Sequence, residues 1–168
     1  ELPKLPTGKS EDGSHWMGAK DPLVTIDEYS DYQCPFCRKA HRVMRTIAAQ
    51  FPDTVRLVHH HYPIDDACNP VVKKAFHLRA CEFSKAVECA ADQDKFWPMN
   101  DAIFSIQETV AVDRVDVEHL SVQLGLDRSQ FATCMANAPW QPSIEKSIRA
   151  ARGLGVTGTP TFFISSKS

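Results

Sequence analysis

The sequence has no long apolar run and no marked excess of charge of either sign. Its 168 residues include 19 lysines and arginines and 21 aspartates and glutamates, which gives a formal net charge of −2. No apolar stretch approaches the roughly 18 residues that a membrane-spanning helix needs. We therefore expect no nucleic-acid partner, no binding to an anionic membrane and no insertion of this chain into a bilayer.

A recognisable signal peptide is also missing, and the sequence starts at Glu1 rather than at a methionine. We interpret the chain as a processed or trimmed form. Six cysteines in 168 residues are unusual for the reducing cytosol and common in oxidising compartments, where disulfides persist. The cysteine content therefore predicts a periplasmic or otherwise exported protein.

The most informative motif is a C-x-x-C sequence, Cys34-Pro35-Phe36-Cys37, between a predicted strand and a predicted helix. Pro35 suits the first turn of a helix, because its missing N–H would have no partner there. A Cys34 thiolate would face the unpaired N–H groups and the positive end of the helix dipole. We therefore predict that Cys34 is the exposed, acidic nucleophile. Cys37, one turn later, is expected to be shielded and to attack a mixed disulfide held on Cys34.

A zinc site is the alternative interpretation of this spacing, because C-x-x-C also forms half of such sites. No second C-x-x-C and no H-x-x-x-H follows in the sequence. Three adjacent histidines, residues 59–61, lie in a predicted strand, where only alternate side chains share a face. We therefore predict no metal site and no cofactor, and we favour redox chemistry at the motif.

Three blocks, residues 29–37, 94–104 and 153–164, together resemble the DsbA-type thioredoxin-fold oxidoreductases. The similarity extends over about residues 18–164. It implies an α/β, thioredoxin-like fold with a helical insertion. It also implies that Pro160 follows a cis peptide bond and lies beside the two sulfur atoms.

The resemblance assigns a role to Glu28, six residues before the motif. In the family, a buried acid at this place lies beneath the C-x-x-C sequence and exchanges a proton with the resolving thiol, here Cys37. A buried carboxyl group has a raised pKa and can act as a general base near neutral pH. The alternative is a strand register that leaves Glu28 exposed and turns Asp27 or Asp31 inward.

The resemblance also indicates how a substrate would bind. The backbone of Thr159 and the cis Pro160 are expected to hold a substrate segment as an added strand. Pro35 and Phe36 are the other expected substrate contacts. Phe36 offers neither charge nor a hydrogen bond to the thiolate, so we expect a less oxidising protein than relatives with histidine at this place.

The chain divides into three predicted parts. Residues 1–22 are expected to form an arm or linker that residues 15–17 anchor to the domain surface. Residues 23–64 and 140–168 are expected to form the thioredoxin-like domain, and residues 65–139 the helical insertion. The last strand and helix of a thioredoxin fold are apparently missing after Ser168. Truncation, omitted disordered residues and a neighbouring chain that completes the edge all remain open.

Helices are predicted near 77–91, 94–107, 115–124, 128–137 and 141–153. Cys81 and Cys89 share the first of these, where eight residues rise about 12 Å. Because the Cα atoms of a disulfide lie within about 7 Å of each other, these two cysteines are unsuited to pair. We favour Cys68–Cys81 and Cys89–Cys134 as a structural frame, with electron transfer through the insertion as the alternative.

The predicted function is thiol–disulfide exchange between the C-x-x-C motif and cysteines of exported proteins, in the direction of an oxidase. The resemblance suggests reoxidation by a membrane quinone-linked protein of the DsbB or VKOR type. Two alternatives remain open. One is a reductase or isomerase that uses the same site, and the other is a non-catalytic binding module on a thioredoxin scaffold.

Overall fold

The computed structural model describes residues 4–137 and 142–168. Within these ranges, five strands form one sheet and six α-helices pack around it. In chain order the elements are β1 (Thr7–Lys9), β2 (His15–Gly18), β3 (Val24–Ser30), α1 (Pro35–Gln50), β4 (Val55–His61), α2 (Ala80–Ala91), α3 (Phe96–Ile106), α4 (Val117–Gln123), α5 (Arg128–Ala136), α6 (Pro142–Gly153) and β5 (Thr161–Ser166). The strand order in the sheet is β1-β2-β4-β3-β5.

The centre of the sheet is the β3-α1-β4 unit. Its two strands are parallel, with Glu28 opposite His59, and α1 is the crossover between them. Strand β5 runs antiparallel to β3 on its other side and places Phe162 opposite Glu28. Because β3 is flanked on both sides, most of its residues are buried and its carboxyl end delivers the chain to the C-x-x-C motif.

The prediction of an arm or linker over residues 1–22 is wrong for the part that the structure describes. Strands β1 and β2 form an antiparallel hairpin, and β2 pairs with β4, with Met17 opposite Leu57. Met17 is buried, and the His15 ring stacks on Phe96 with 3.8 Å between ring centroids. Gly18 has a φ of +105°, and a Cβ there would lie 2.3 Å from the Val55 carbonyl oxygen. This close backbone approach and the inward side chains make the hairpin an edge of the sheet.

The predicted helices of residues 77–137 are present, with ends that differ by one to three residues at most places. Helices α2 and α3 carry the largest apolar faces, which include Phe83, Val87, Met99 and Ile103. Phe96 and Trp97 are buried packing residues. The predicted domain boundary at 139–140 and the predicted helix start at 141 lie outside the described residues.

Two disulfides crosslink the helical segment. Cys68–Cys81 joins the segment after β4 to α2, with 5.9 Å between the Cα atoms. Cys89–Cys134 joins α2 to α5, with 5.7 Å between the Cα atoms. These are the two pairs favoured from the sequence.

None of the helices in the described parts of the chain combines the length and the hydropathy needed to cross a bilayer.

Candidate active site

The C-x-x-C motif lies at the N-terminus of α1. Cys34 is the residue that precedes the first helical turn, with an extended backbone (φ −74°, ψ 121°), and Pro35 begins the helix. No side chain caps this end, and the first turn contains no acidic residue. The free N–H groups and the dipole of α1 are therefore available to an anion on Cys34.

The two thiols of the motif are free, but they are less accessible than the sequence suggested. Cys34 is only 5% exposed and Cys37 is 0% exposed. The expectation of an exposed Cys34 is thus wrong, although Cys34 is more exposed than Cys37, as predicted. Cys34 Sγ lies 3.6 Å from the carbonyl oxygen of Thr159. Phe36, by contrast, is 66% exposed.

The two sulfur atoms have opposite acid–base character. The hydrogen bond from the Cys37 thiol is the main cause that lowers the pKa of Cys34, to about 5. Burial opposes this shift, while the backbone N–H groups of Cys37 and Phe36 add to it. The same hydrogen bond, together with burial, raises the pKa of Cys37. One thiolate is therefore held on Cys34 and the proton is held on Cys37.

Pro160 lies in the loop before β5, next to Thr159, whose carbonyl oxygen contacts Cys34 Sγ. The peptide bond between Thr159 and Pro160 is cis. The contact between Thr159 and Cys34 spans 125 residues of sequence. The structure therefore brings Cys34, Cys37, Thr159 and Pro160 together at one place.

Glu28 is buried in β3, as the family resemblance implied. It is 5% exposed, and one of its carboxyl oxygens, Oε1, is buried without a hydrogen-bond partner. Burial raises its pKa to about 8. The alternative of an exposed Glu28 is therefore wrong. The same alternative expected Asp27 or Asp31 to turn inward, and Asp31 is buried.

Asp31 connects the motif to a distant segment of the chain. Its carboxylate accepts hydrogen bonds from the backbone of Gln33 (2.7 Å), from the backbone of Ile64 (2.7 Å) and from Nδ1 of His77 (2.9 Å). Its own backbone N–H donates to Cys37 Sγ over 3.5 Å. The sequence pointed to Asp31 only as an alternative to Glu28, and no local pattern marks its contact with His77, 46 residues away.

A second group that the sequence analysis missed joins α3 to the motif. Tyr32 donates its hydroxyl to the Asn100 side chain over 2.8 Å, and Gln107 donates to the Tyr32 carbonyl over 2.8 Å. Arg38, on α1, donates to the Gln107 carbonyl over 2.7 Å. These bonds attach the wall formed by α3 to the residues on either side of Cys34.

Of the three adjacent histidines, His60 and His61 lie within hydrogen-bond distance of carboxylates, whereas His59 contacts Tyr32 and His61. His61 lies 2.7 Å and His15 3.4 Å from the Glu88 carboxylate, and His60 lies 2.7 Å from that of Asp27. In the part of the chain that the structure describes, no three His, Cys, Asp or Glu side chains are arranged to hold a metal ion.

Comparisons with known proteins agree with this geometry. A family model described as thioredoxin matches residues 10–168. DsbA2 of Pseudomonas aeruginosa is 26% identical, with a TM-score of 0.70 over 90% of this chain and 79% of that chain. A thioredoxin-like oxidoreductase of Silicibacter pomeroyi DSS-3 is 24% identical, with a TM-score of 0.73 over 92% of this chain and 81% of that chain.

Curated relatives include much longer proteins. The Na(+)/H(+) antiporter NhaA 3 of Salinispora tropica is 30% identical over 156 residues. This match covers 93% of the present chain but 22% of the antiporter, so the chain spans about a fifth of the length of such relatives. The family model, by contrast, covers nearly the whole chain, including the helical segment and the C-x-x-C site. The chain therefore belongs to the thioredoxin family and has the DsbA-type fold of thiol–disulfide oxidoreductases.

Proposed function

We propose that the Cys34–Cys37 pair exchanges its dithiol and disulfide forms with cysteines of exported proteins, and that it acts as a disulfide-introducing oxidase. The observation that carries this proposal is the pair itself: two free thiols at a helix N-terminus, with the pKa of Cys34 lowered and that of Cys37 raised. A stable thiolate on Cys34 favours the reduced protein, and a protein that is stable when reduced is a good oxidant of other thiols.

The reaction starts from the oxidised pair. A substrate thiolate attacks Cys34 Sγ, so that the Cys34–Cys37 bond breaks and Cys37 leaves as a thiolate that takes up a proton. The second substrate thiolate then attacks the substrate sulfur of the mixed disulfide and releases the Cys34 thiolate. Two electrons pass from the substrate to the protein, and the substrate gains one disulfide. The low pKa of Cys34 makes it a good leaving group in the second step.

Glu28 is proposed as the group that exchanges a proton with Cys37. Its carboxyl group is buried, and its pKa of about 8 lies close to neutral pH, where a group of this kind both accepts and donates protons. Protonation of the Cys37 thiolate is required when the mixed disulfide forms. The reverse transfer is required when the pair is reoxidised.

Substrate binding is proposed at the surface around Cys34. The Thr159 backbone and Pro160 would align an extended substrate segment, since peptides commonly bind as added strands. Pro35 and the exposed ring of Phe36 would contact the residues beside the substrate cysteine. The disulfides Cys68–Cys81 and Cys89–Cys134 are proposed to be structural.

The cellular setting remains part of the proposal. Continued turnover requires an external oxidant, and the DsbA-type fold supports a quinone-linked membrane protein of the DsbB or VKOR type. Such a partner would act in the periplasm or another exported location. The antiporter relatives do not support a transport activity for this chain, because the match covers only 22% of the antiporter.

The test combines a reduction potential with an oxidation assay on a dithiol peptide. We expect the oxidised protein to introduce a disulfide stoichiometrically, and its potential to lie above that of thioredoxin, about −270 mV. Cys34→Ser is the control that removes exchange. A potential near or below that value would favour a reductase. No exchange at all by folded, oxidised protein would favour a binding module and overturn the proposal.

A further inference from the structure

The residues between the two cysteines provide no positive charge for the thiolate. Pro35 and Phe36 have neither a charge nor a side-chain donor, and Phe36 projects into solvent. Lys39 lies on the exposed side, with its Nζ 6.0 Å from the centre of the Phe36 ring. Arg38 is engaged with the Gln107 carbonyl. A cation that faces Cys34 from inside the protein must therefore come from another segment.

His77 belongs to such a segment, between β4 and α2. It is buried, and its Nδ1 lies 2.9 Å from the buried Asp31 carboxylate. Two residues further on, the backbone N–H of Arg79 donates to the Gln33 side chain over 3.0 Å. Asp31 and Gln33 immediately precede Cys34, whose own N–H donates to the Asp31 carbonyl. The segment with His77 therefore runs alongside the residues that lead into the motif.

The position of His77 is fixed from both ends. Its backbone N–H donates to the Ile64 carbonyl over 3.0 Å, and the Ile64 N–H donates to Asp31 over 2.7 Å. On the other side, Cys81 is joined to Cys68 by a disulfide, and its N–H donates to the Asp65 carboxylate over 3.0 Å. These contacts fix His77 relative to Asp31, three residues before Cys34.

The charges that face His77 favour its protonated form. Burial disfavours the imidazolium, but the hydrogen bond and charge of Asp31 outweigh it, and Cys34 and Asp65 add to the effect, so that the pKa of His77 is raised. The guanidinium of Arg79, two residues away, is paired with Glu82. The Cys34 thiolate and the His77 imidazolium are thus of opposite charge on neighbouring segments.

We propose that His77, held by Asp31 and by the crosslinked segment after β4, is a positioning residue for the Cys34 thiolate and provides the cationic partner that Pro35 and Phe36 lack. This inference rests on the proposed function, because the Cys34 thiolate matters for catalysis only if the Cys34–Cys37 pair exchanges disulfides. A cation at this place stabilises the reduced, thiolate form of the pair relative to the disulfide form. The crosslink Cys68–Cys81 would then contribute to redox chemistry indirectly, because it positions the segment that contains His77.

Thermodynamic linkage makes this proposal testable on the unaltered protein. If His77 stabilises the Cys34 thiolate, the thiolate must stabilise the imidazolium by the same free energy. Oxidation to the Cys34–Cys37 disulfide removes the thiolate. The pKa of His77 should therefore fall on oxidation, by about one unit if the effect is at the lower end for an opposite charge nearby. Titration of the His77 ring by NMR in both redox states measures this shift.

The matching variant is His77→Gln, which retains a donor toward Asp31 and cannot carry a positive charge. The pKa of Cys34 should rise by about one unit. The exchange equilibrium with a reference dithiol should then shift about tenfold toward the oxidised variant, which corresponds to a potential about 30 mV lower. His119→Gln is the control, because His119 is an exposed histidine on α4.

A His77 pKa that is the same in both redox states would overturn the inference, as would a folded His77→Gln protein with the potential of the His119→Gln control. If His77→Gln fails to fold, the NMR titration of the unaltered protein decides alone. These results are distinct from a failure of the proposed function. In that case the unaltered protein would not oxidise the dithiol peptide, whether or not its His77 titration depends on the redox state.

Discussion

Replacement of Glu28 by glutamine should make the protein more stable, and the gain should grow with pH. Glu28 is 5% exposed in β3, and its pKa is raised from 4.5 to about 8 by burial. Between these two values the unfolded chain has lost the proton that the folded protein still holds. The stability of the unaltered protein therefore falls with rising pH, by up to about 1.36 kcal/mol per pH unit from this group.

The difference between variant and unaltered protein isolates this effect. From about pH 5.5 to about pH 7.5, two pH units, the advantage of Glu28→Gln should increase by at most about 2.7 kcal/mol. It should level off above the folded pKa of about 8. Any constant cost of placing an amide in the site shifts the difference curve without changing its slope. The slope is therefore the quantity to compare.

The assay is denaturant unfolding of the oxidised proteins at several pH values, because the Cys34–Cys37 disulfide removes both titrating thiols. Glu11→Gln, which changes an exposed carboxylate, is the control and should alter stability by less than about 0.5 kcal/mol throughout. Parallel stability curves for Glu28→Gln and the unaltered protein would refute the assignment of a raised pKa to Glu28. Formation of the mixed disulfide should also slow, by about 100-fold if Glu28 acts in general acid–base catalysis on Cys37.

Two further predictions concern the disulfides and Phe36. Mass mapping of the non-reduced protein should find Cys68–Cys81 and Cys89–Cys134 intact after mild reductant has opened Cys34–Cys37, because structural disulfides are usually much harder to reduce than catalytic ones. Free thiols among these four, or Cys68 joined to Cys89, would contradict the pairing. Phe36→His should place a donor beside the Cys34 thiolate and stabilise the reduced form by on the order of 1–2 kcal/mol, or tens of millivolts in potential. Because residue 36 is 66% exposed, we expect the lower end, and an unchanged or lower potential would show that this residue does not face the thiolate.

The features that the sequence predicted correctly depend on local constraints. A C-x-x-C motif with proline at the first helical position fixes the strand-to-helix junction, because few other backbones suit it. The helices of residues 77–137 follow from apolar periodicity. The distance that one helix imposes between Cys81 and Cys89 excludes one of the three possible pairings of the other four cysteines. Each of these arguments needs only neighbouring residues.

The features that the sequence did not predict depend on contacts between distant residues. The hairpin of β1 and β2 consists of strands of three and four residues, too short for a clear alternation, and it is stabilised by pairing with β4 and by contacts with distant residues such as Phe96. Cys34 contacts Thr159, which lies 125 residues later in the chain. The Asp31–His77 pair spans 46 residues. No local pattern contains this information, and the redox site is built largely from such contacts.

The most direct test of the central claim is the pH dependence of Cys34 alkylation in the reduced protein, followed by mass mapping. The thiolate is the reactive form, so the rate should rise with a midpoint near the folded pKa of about 5. Cys37 should remain unlabelled over the same range, because its pKa is raised and it is fully buried. A Cys34 midpoint near about 8.5, the value of an ordinary thiol, or labelling of Cys37 before Cys34, would contradict the account.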